Sequence, residues 1–483
     1  MPVDECVSHA ESFYVDVLRC FGGFRYWRIT LRSLGVGGYF HGGTTGFAGG
    51  APHLRTEGNK MGRKGWLVTF SGMGLNLALG VLYSWSVFGK QFTEAVDKGG
   101  FGWSKTSAAL PYTIAIAFFA AMMVPAGRLQ DKFGPRIIAT MGALLTGLGL
   151  VVTSFASPGN ILPALIGFGA MAGTGIGLGY ATATPAAVKW FPPEKKGLIT
   201  GIVVSGFGLA SVYIAPVSRS FLAAYGVKGA FLILGIGFAV ITFILAQFIN
   251  NPSTAAVSLN QNASKNNNNY KVDYSWSEML KTRTFYLLWI EFACGAMAGL
   301  MIIGHLAKIV SVQSGNAIQI GFIFVALLAI FNAGGRLVAG FASDYIGRLR
   351  TVLIVCLSQA VVMFFFSKIS TISTFILGSA VVGFSYGACL SLFPSTCADY
   401  WGTKNLGLNY GILFTAWGVG GVFGPILAGR IADASGNYNM AYVISASLMI
   451  FAAILTFFTK VPEREMVGEF GQPVLAGKLQ ATD

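Results

Sequence analysis

Twelve stretches of mainly apolar residues dominate this chain, at 65–89, 107–129, 137–157, 161–187, 197–225, 229–250, 285–306, 317–342, 351–367, 372–395, 406–432 and 441–459. A helix needs roughly 20 such residues to cross a bilayer, because backbone polar groups must be paired internally where no water reaches. The pattern predicts twelve membrane-spanning helices. Only 11% of the 483 residues are charged, where a soluble domain carries about 25%, so a water-soluble enzyme is excluded. The second, fourth, fifth and eleventh spans are dense in Gly and Pro, which lipid tolerates and a soluble helix does not.

The formal charge of +14 invites a nucleic-acid reading, but the basic residues lie in short clusters between apolar runs rather than in a stripe among aromatics. The lipid bilayer is the expected partner instead. Cys294, Cys356, Cys389 and Cys397 lack C-x-x-C spacing, so neither a metal site nor a disulfide framework is indicated. Gly173, Gly175, Gly177 and Gly179 look like a dinucleotide loop, yet no strand can precede them inside an apolar helix; small residues at this spacing let membrane helices cross closely. No cofactor is expected.

Loops after even-numbered spans hold thirteen Lys and Arg, and those after odd-numbered spans hold eight. The positive-inside bias therefore places both ends of the transmembrane body in the cytoplasm, with the plasma membrane as the expected location. Residues 1–60 read as a polar tail, either disordered or the product of a start codon assigned too early, since Met61-Gly62-Arg63-Lys64 is a natural beginning. A six-helix half over 61–250, a polar cytoplasmic linker over 251–284, a second half over 285–460 and a cytoplasmic tail over 461–483 follow.

The halves are copies. Gly127-x-x-x-Asp131-x-x-Gly134, with Arg128 inside it and Arg136 after it, recurs as Gly340-x-x-x-Asp344-x-x-Gly347 followed by Arg348. Gly197-Leu198-x-x-Gly201 recurs as Gly407-Leu408-x-x-Gly411. The first pair reads as a latch: Gly lets helix ends approach, Asp faces a helix N-terminus, and the bases pair with carboxylates. Such a contact can hold one half against the other and release it, as alternating access requires.

Residues 61–460, through these two loops, resemble the major facilitator superfamily of secondary transporters. Gly177-Leu178-Gly179-Tyr180, Lys189-Trp190-Phe191-Pro192, Asn332-Ala333-Gly334-Gly335-Arg336 and Tyr410 to Gly418 are similar to the oxalate:formate antiporter family and its prokaryotic monocarboxylate transporter relatives. The resemblance implies an all-α membrane protein of two pseudo-symmetric six-helix halves.

A charge within a span costs ~2.5–3.5 kcal/mol even on lenient scales, so it is a functional candidate. Arg336 is the plainest. It sits eight residues before Asp344, or about 12 Å along a helix, and its planar fork suits a carboxylate. Asn332, one turn earlier on the same face, can add a contact to a third oxygen such as a 2-hydroxy or 2-oxo group. The competing reading is an arginine that snorkels or pairs with a protein acid. In the resembled family an arginine of the eighth span holds the substrate anion, and tyrosines at places matching Tyr180 and Tyr386 line the site.

Characterised oxalate carriers of that kind are expected to place a lysine in the eleventh span, where Trp417 stands here. One buried cation neutralises a monoanion but leaves a dianion half compensated, which favours lactate, pyruvate or formate. Tyr83 and Trp417 are candidate apolar walls for the far end of the anion. His305, whose side-chain type is a common proton carrier, and Glu291, the acid within a span, are the proton-coupling candidates.

The expectation is a monomeric carrier of a small organic monocarboxylate anion, with protons as a candidate co-substrate or a second anion in exchange. A dicarboxylate antiporter of the oxalate:formate kind, an anion channel and a non-transporting receptor are the alternatives. No nucleophile and base constellation or ATP-binding loop is present in the sequence, so no enzyme is expected.

Overall fold

The computed structural model describes residues 52–253, 273–315 and 321–462, with two short paired segments at Met466–Val467 and Pro473–Val474. The expected tail over 1–60, up to residue 51, lies outside the described residues. So do 254–272 of the expected linker and most of the chain beyond 462.

Among the described residues eleven helices are long and apolar enough to cross a membrane. One of them, Pro193–Ala246, has 54 residues, about 80 Å of helix against a hydrocarbon core of about 30 Å. It turns at Gly226, whose φ of 65° and ψ of −176° are not helical, and therefore makes the fifth and sixth crossings. The other ten make one crossing each, so twelve crossings result.

The first span runs through Pro52–Leu79, tightens over Gly80–Ser84 and resumes at Trp85–Thr93. The second and third are Lys105–Phe133 and Pro135–Thr153. The fourth is wound more loosely over Leu165–Ala172 before Gly173–Val188, and the fifth and sixth share Lys196–Ala246. In the second half the spans are Arg283–Ile303, Gly321–Ile346, Arg348–Phe365, Ile372–Tyr400, Leu406–Ser435 and Asn439–Thr456.

The two halves repeat one design. Gly134 at φ 88° and Gly347 at φ 98° each end one helix and start the next. A side chain in that backbone region would be strained, so glycine fixes both tight turns. Leu148, Ile241, Val361, Leu377 and Phe457 are exposed; on a soluble protein they would be a liability, and here they form the face toward lipid.

Within the first half the second and third spans pack on the fourth, and the third packs on the paired fifth and sixth. Within the second, the eighth packs on the tenth, and the seventh on the eleventh and twelfth. Two seams join the halves: the second span against the eleventh, and the fifth against the eighth.

Candidate functional site

The seams close at the end of the bundle that carries the 2–3 and 8–9 loops, here called the loop end. A Cβ added to Gly127 would collide with the Gly407 carbonyl, and one added to Gly340 with the Gly197 carbonyl. The two repeats read from the sequence thus meet each other crosswise. Each Asp then caps the helix opposite. Asp131 accepts from the Leu408 amide at 3.0 Å. Asp344 accepts from the Gly197 and Leu198 amides, both at 2.8 Å. A carboxylate at a helix N-terminus satisfies unpaired amides and meets the positive end of the dipole.

The charges around the two aspartates differ. Arg348 pairs with Asp344 at 2.7 Å and with Asp399 at 2.8 Å, and donates to the Ser343 hydroxyl. Lys196, from the first half, reaches Asp399 at 3.2 Å and the Ala398 carbonyl at 2.8 Å in the second. At the other seam Asp131 has Lys189 at 3.6 Å and the Gln130 amide at 3.2 Å. Arg128 and Arg136, read as latch residues, are exposed. Lys189, Lys196, Gln130 and Asp399 carry no mark of this role in the sequence, where they resemble any polar residue at the end of a span.

Arg336 lies above this closure, 1% exposed. It faces neither lipid nor a protein acid, since no salt bridge to it occurs among the described residues. Its Nε donates to the Asn332 side-chain carbonyl at 3.0 Å, and its Nη1 to the Val204 carbonyl of the fifth span at 2.6 Å. The Tyr83 hydroxyl is within hydrogen-bonding reach of the same guanidinium. Asn332 therefore orients the fork, and two planar bonds fix its direction. Tyr83, expected as an apolar wall, thus presents its hydroxyl to the guanidinium and its ring to Phe207.

An aromatic layer adjoins the arginine and draws on both halves. Phe119 touches Tyr180, Phe207, Phe414 and Trp417 with ring centres 5.3 to 6.0 Å apart. Tyr83 packs on Phe207 at 5.5 Å, and Trp417 stacks on Phe414 at 4.9 Å. The Trp417 indole donates to the Tyr386 hydroxyl at 2.8 Å. Tyr410 is buried, its ring against Phe414 at 5.6 Å. One cation, polar hydroxyls and apolar ring faces are what a small amphiphilic anion requires.

The remaining candidates lie apart. Glu291 is 1% exposed; one carboxyl oxygen accepts from Thr459 at 2.6 Å, and the other has no partner among the described residues. That contact ties it to the chain just past the twelfth span, and no ion pair joins it to Arg336. His305 touches the Pro425 carbonyl at 3.0 Å and the Tyr438 hydroxyl at 3.4 Å, just beyond the end of the seventh span away from the loop end. No group of His, Cys, Asp and Glu suited to a metal ion occurs among the described residues.

Comparison with known proteins places this geometry. The model of the Major Facilitator Superfamily matches residues 65–366 and 309–479. The oxalate:formate antiporter of Oxalobacter formigenes is 30% identical over 403 residues, covering 82% of this chain and 89% of that protein. Monocarboxylate transporter 12 of Xenopus laevis is 25% identical over 357 residues, 70% of this chain and 76% of that one. The crystal structure of the Escherichia coli fucose:proton symporter superposes with a TM-score of 0.63 at 14% identity, over 81% of this chain and 98% of that one. The twelve crossings, the repeated loops and the family match agree, and the chain belongs to the Major Facilitator Superfamily, as a multi-pass membrane transporter.

Proposed function

We propose that this protein carries small organic monocarboxylate anions, of the lactate, pyruvate or formate class, by alternating access, with Arg336 as the charge partner of the carboxylate. The observation that carries the reading is a buried guanidinium with no acid beside it among the described residues. A lone cation in low dielectric is costly, and a monoanion removes the cost. Asn332 and Tyr83 orient the fork, Tyr180 and Tyr386 offer hydroxyls, and Phe119, Phe414 and Trp417 take the apolar end.

The antiporter relative brings a second reading, exchange of a dianion for a monoanion, and its higher identity favours it. Against it, the other buried cations among the described residues, Lys196 and Arg348, are committed to ion pairs at the loop end. Trp417 supplies a ring where a second cation would balance a dianion. We place the protein in the plasma membrane, and the positive-inside bias makes the loop end cytoplasmic and therefore sealed from the cytoplasm in this state. Any proton coupling through Glu291 or His305 acts at a distance from the anion.

The test is uptake of labelled L-lactate, pyruvate, formate and oxalate into proteoliposomes at two pH values, for the parent and Arg336→Ala. Saturable monocarboxylate uptake that the substitution abolishes is expected. Oxalate as the best substrate, or undiminished lactate uptake in Arg336→Ala, overturns the reading; flux that never saturates makes the protein a channel.

A further inference from the structure

Arg336 lies in a seam. A Cβ on Gly201 of the fifth span would stand 2.5 Å from the Arg336 carbonyl, and one on Gly208 would stand 3.2 Å from the Arg336 Nε. Between these glycines the Arg336 Nη1 reaches the Val204 carbonyl at 2.6 Å. A helix carbonyl keeps a second lone pair after its helical bond, but the side chain four residues on usually covers it. At position 208 that side chain is absent, so the guanidinium approaches the backbone of the opposite half. Arg336 and Asn332 belong to the eighth span, whereas Val204 and Gly208 belong to the fifth.

We propose that Arg336 is also the fastener that holds the halves together when no anion is bound, with the Val204 carbonyl as its catch and Gly208 as the positioning residue that uncovers it. The fifth and eighth spans part when the loop end opens, and the Val204 bond breaks with them. A buried guanidinium that loses an acceptor bears the desolvation penalty of an unmet charge. A carboxylate on the same fork replaces the lost acceptor, so binding lowers the cost of opening. The carbonyl and the substrate compete for one group, and the empty carrier stays shut at the loop end.

The inference rests on Arg336 being the anion site, and the experiment separates the two. Spin labels are placed on Lys132→Cys and Arg350→Cys, exposed positions at the loop ends of opposite halves, in a Cys6→Ser, Cys20→Ser background; the four described cysteines are buried. In the anion-free parent a single short distance is expected, and saturating L-lactate adds a longer one. Without any anion, Arg336→Ala and Gly208→Ala are each expected to raise the open-to-closed ratio about tenfold, which is ~1.4 kcal/mol.

A parent-like closed distribution in anion-free Arg336→Ala overturns the fastener, whatever its transport. Gly208→Ala also brings a methyl to 3.2 Å from the Ala333 Cα across the seam, so if Arg336→Ala does not fold, Arg336→Met, which fills the space without a donor, decides the question: a parent-like closed distribution overturns the fastener. Lactate uptake that depends on Arg336 in a protein that stays closed would leave the anion site standing and remove the fastener. Opening of Arg336→Ala in a carrier indifferent to lactate would do the reverse.

Discussion

The two seams start from one repeated sequence and end with different contents. At both, a glycine pair brings helices into backbone contact and an aspartate caps the helix opposite. Between the second and eleventh spans the support is one lysine at 3.6 Å and a glutamine, and above them come Phe119, Phe414 and Trp417. Between the fifth and eighth spans the support is a chain of charges, Asp344, Arg348, Asp399 and Lys196, and above it comes Arg336. The shared part closes the molecule. Under the function proposed above, the unshared part reads the solute, one seam meeting the charge of an anion and the other its apolar end.

That contrast is broken most severely by removing the aspartates in turn. Asp344→Ala strips the acceptor from two amides and leaves Arg348, 8% exposed, with Asp399 as its one acid beside the Ser343 hydroxyl. Breaking a buried pair in this way costs ~3–5 kcal/mol. Asp131→Ala removes a looser and wetter pair, with both partners 14% exposed, and a loss of ~1–2 kcal/mol is expected. Thermal unfolding of both variants in the same detergent checks the order. Equal losses would mean that the charge chain around Arg348 adds nothing to the seam.

The steric half of the comparison should instead come out level. Gly127→Ala and Gly340→Ala each push a methyl into a backbone carbonyl across a seam, an overpacking of ~1–3 kcal/mol. Both are expected to favour the open loop end by similar amounts in inter-half distance measurements, with uptake reduced. A large difference would show that one seam can yield and the other cannot.

Much of this is legible in the chain. Hydropathy marks the twelve crossings because a bilayer admits few alternatives, and the turn between the fifth and sixth falls at Gly226, one residue past the predicted end of the fifth span. The 127 and 340 loops announce the latch because a repeated Gly and Asp spacing is rare by chance. Arg336 stands out because an intramembrane cation is expensive. Val204 leaves no trace, since a backbone carbonyl has no letter, and Phe119 and Phe414 are hidden among 39 phenylalanines. Lys189 and Lys196 look equivalent as loop charges; only tertiary placement makes one a loose partner and the other a buried tie.

The smallest effect tests which end of the solute meets the aromatic seam. Trp417→Phe keeps a ring against Phe414 and Phe119 but removes the N–H that holds the Tyr386 hydroxyl. A hydrogen bond of this kind is worth ~0.5–1.5 kcal/mol net, so KM should rise a few-fold while the fold and the closed state are kept. If Tyr386 meets the carboxylate, formate and lactate suffer alike, because both present the same two oxygens to a hydroxyl that has lost its guide. If the indole itself walls the methyl group, lactate suffers and formate does not, since formate has no carbon to place there. Uptake of the two anions by one preparation therefore separates a charge-reading role from a shape-reading role, and assigns the second and eleventh spans to one of them.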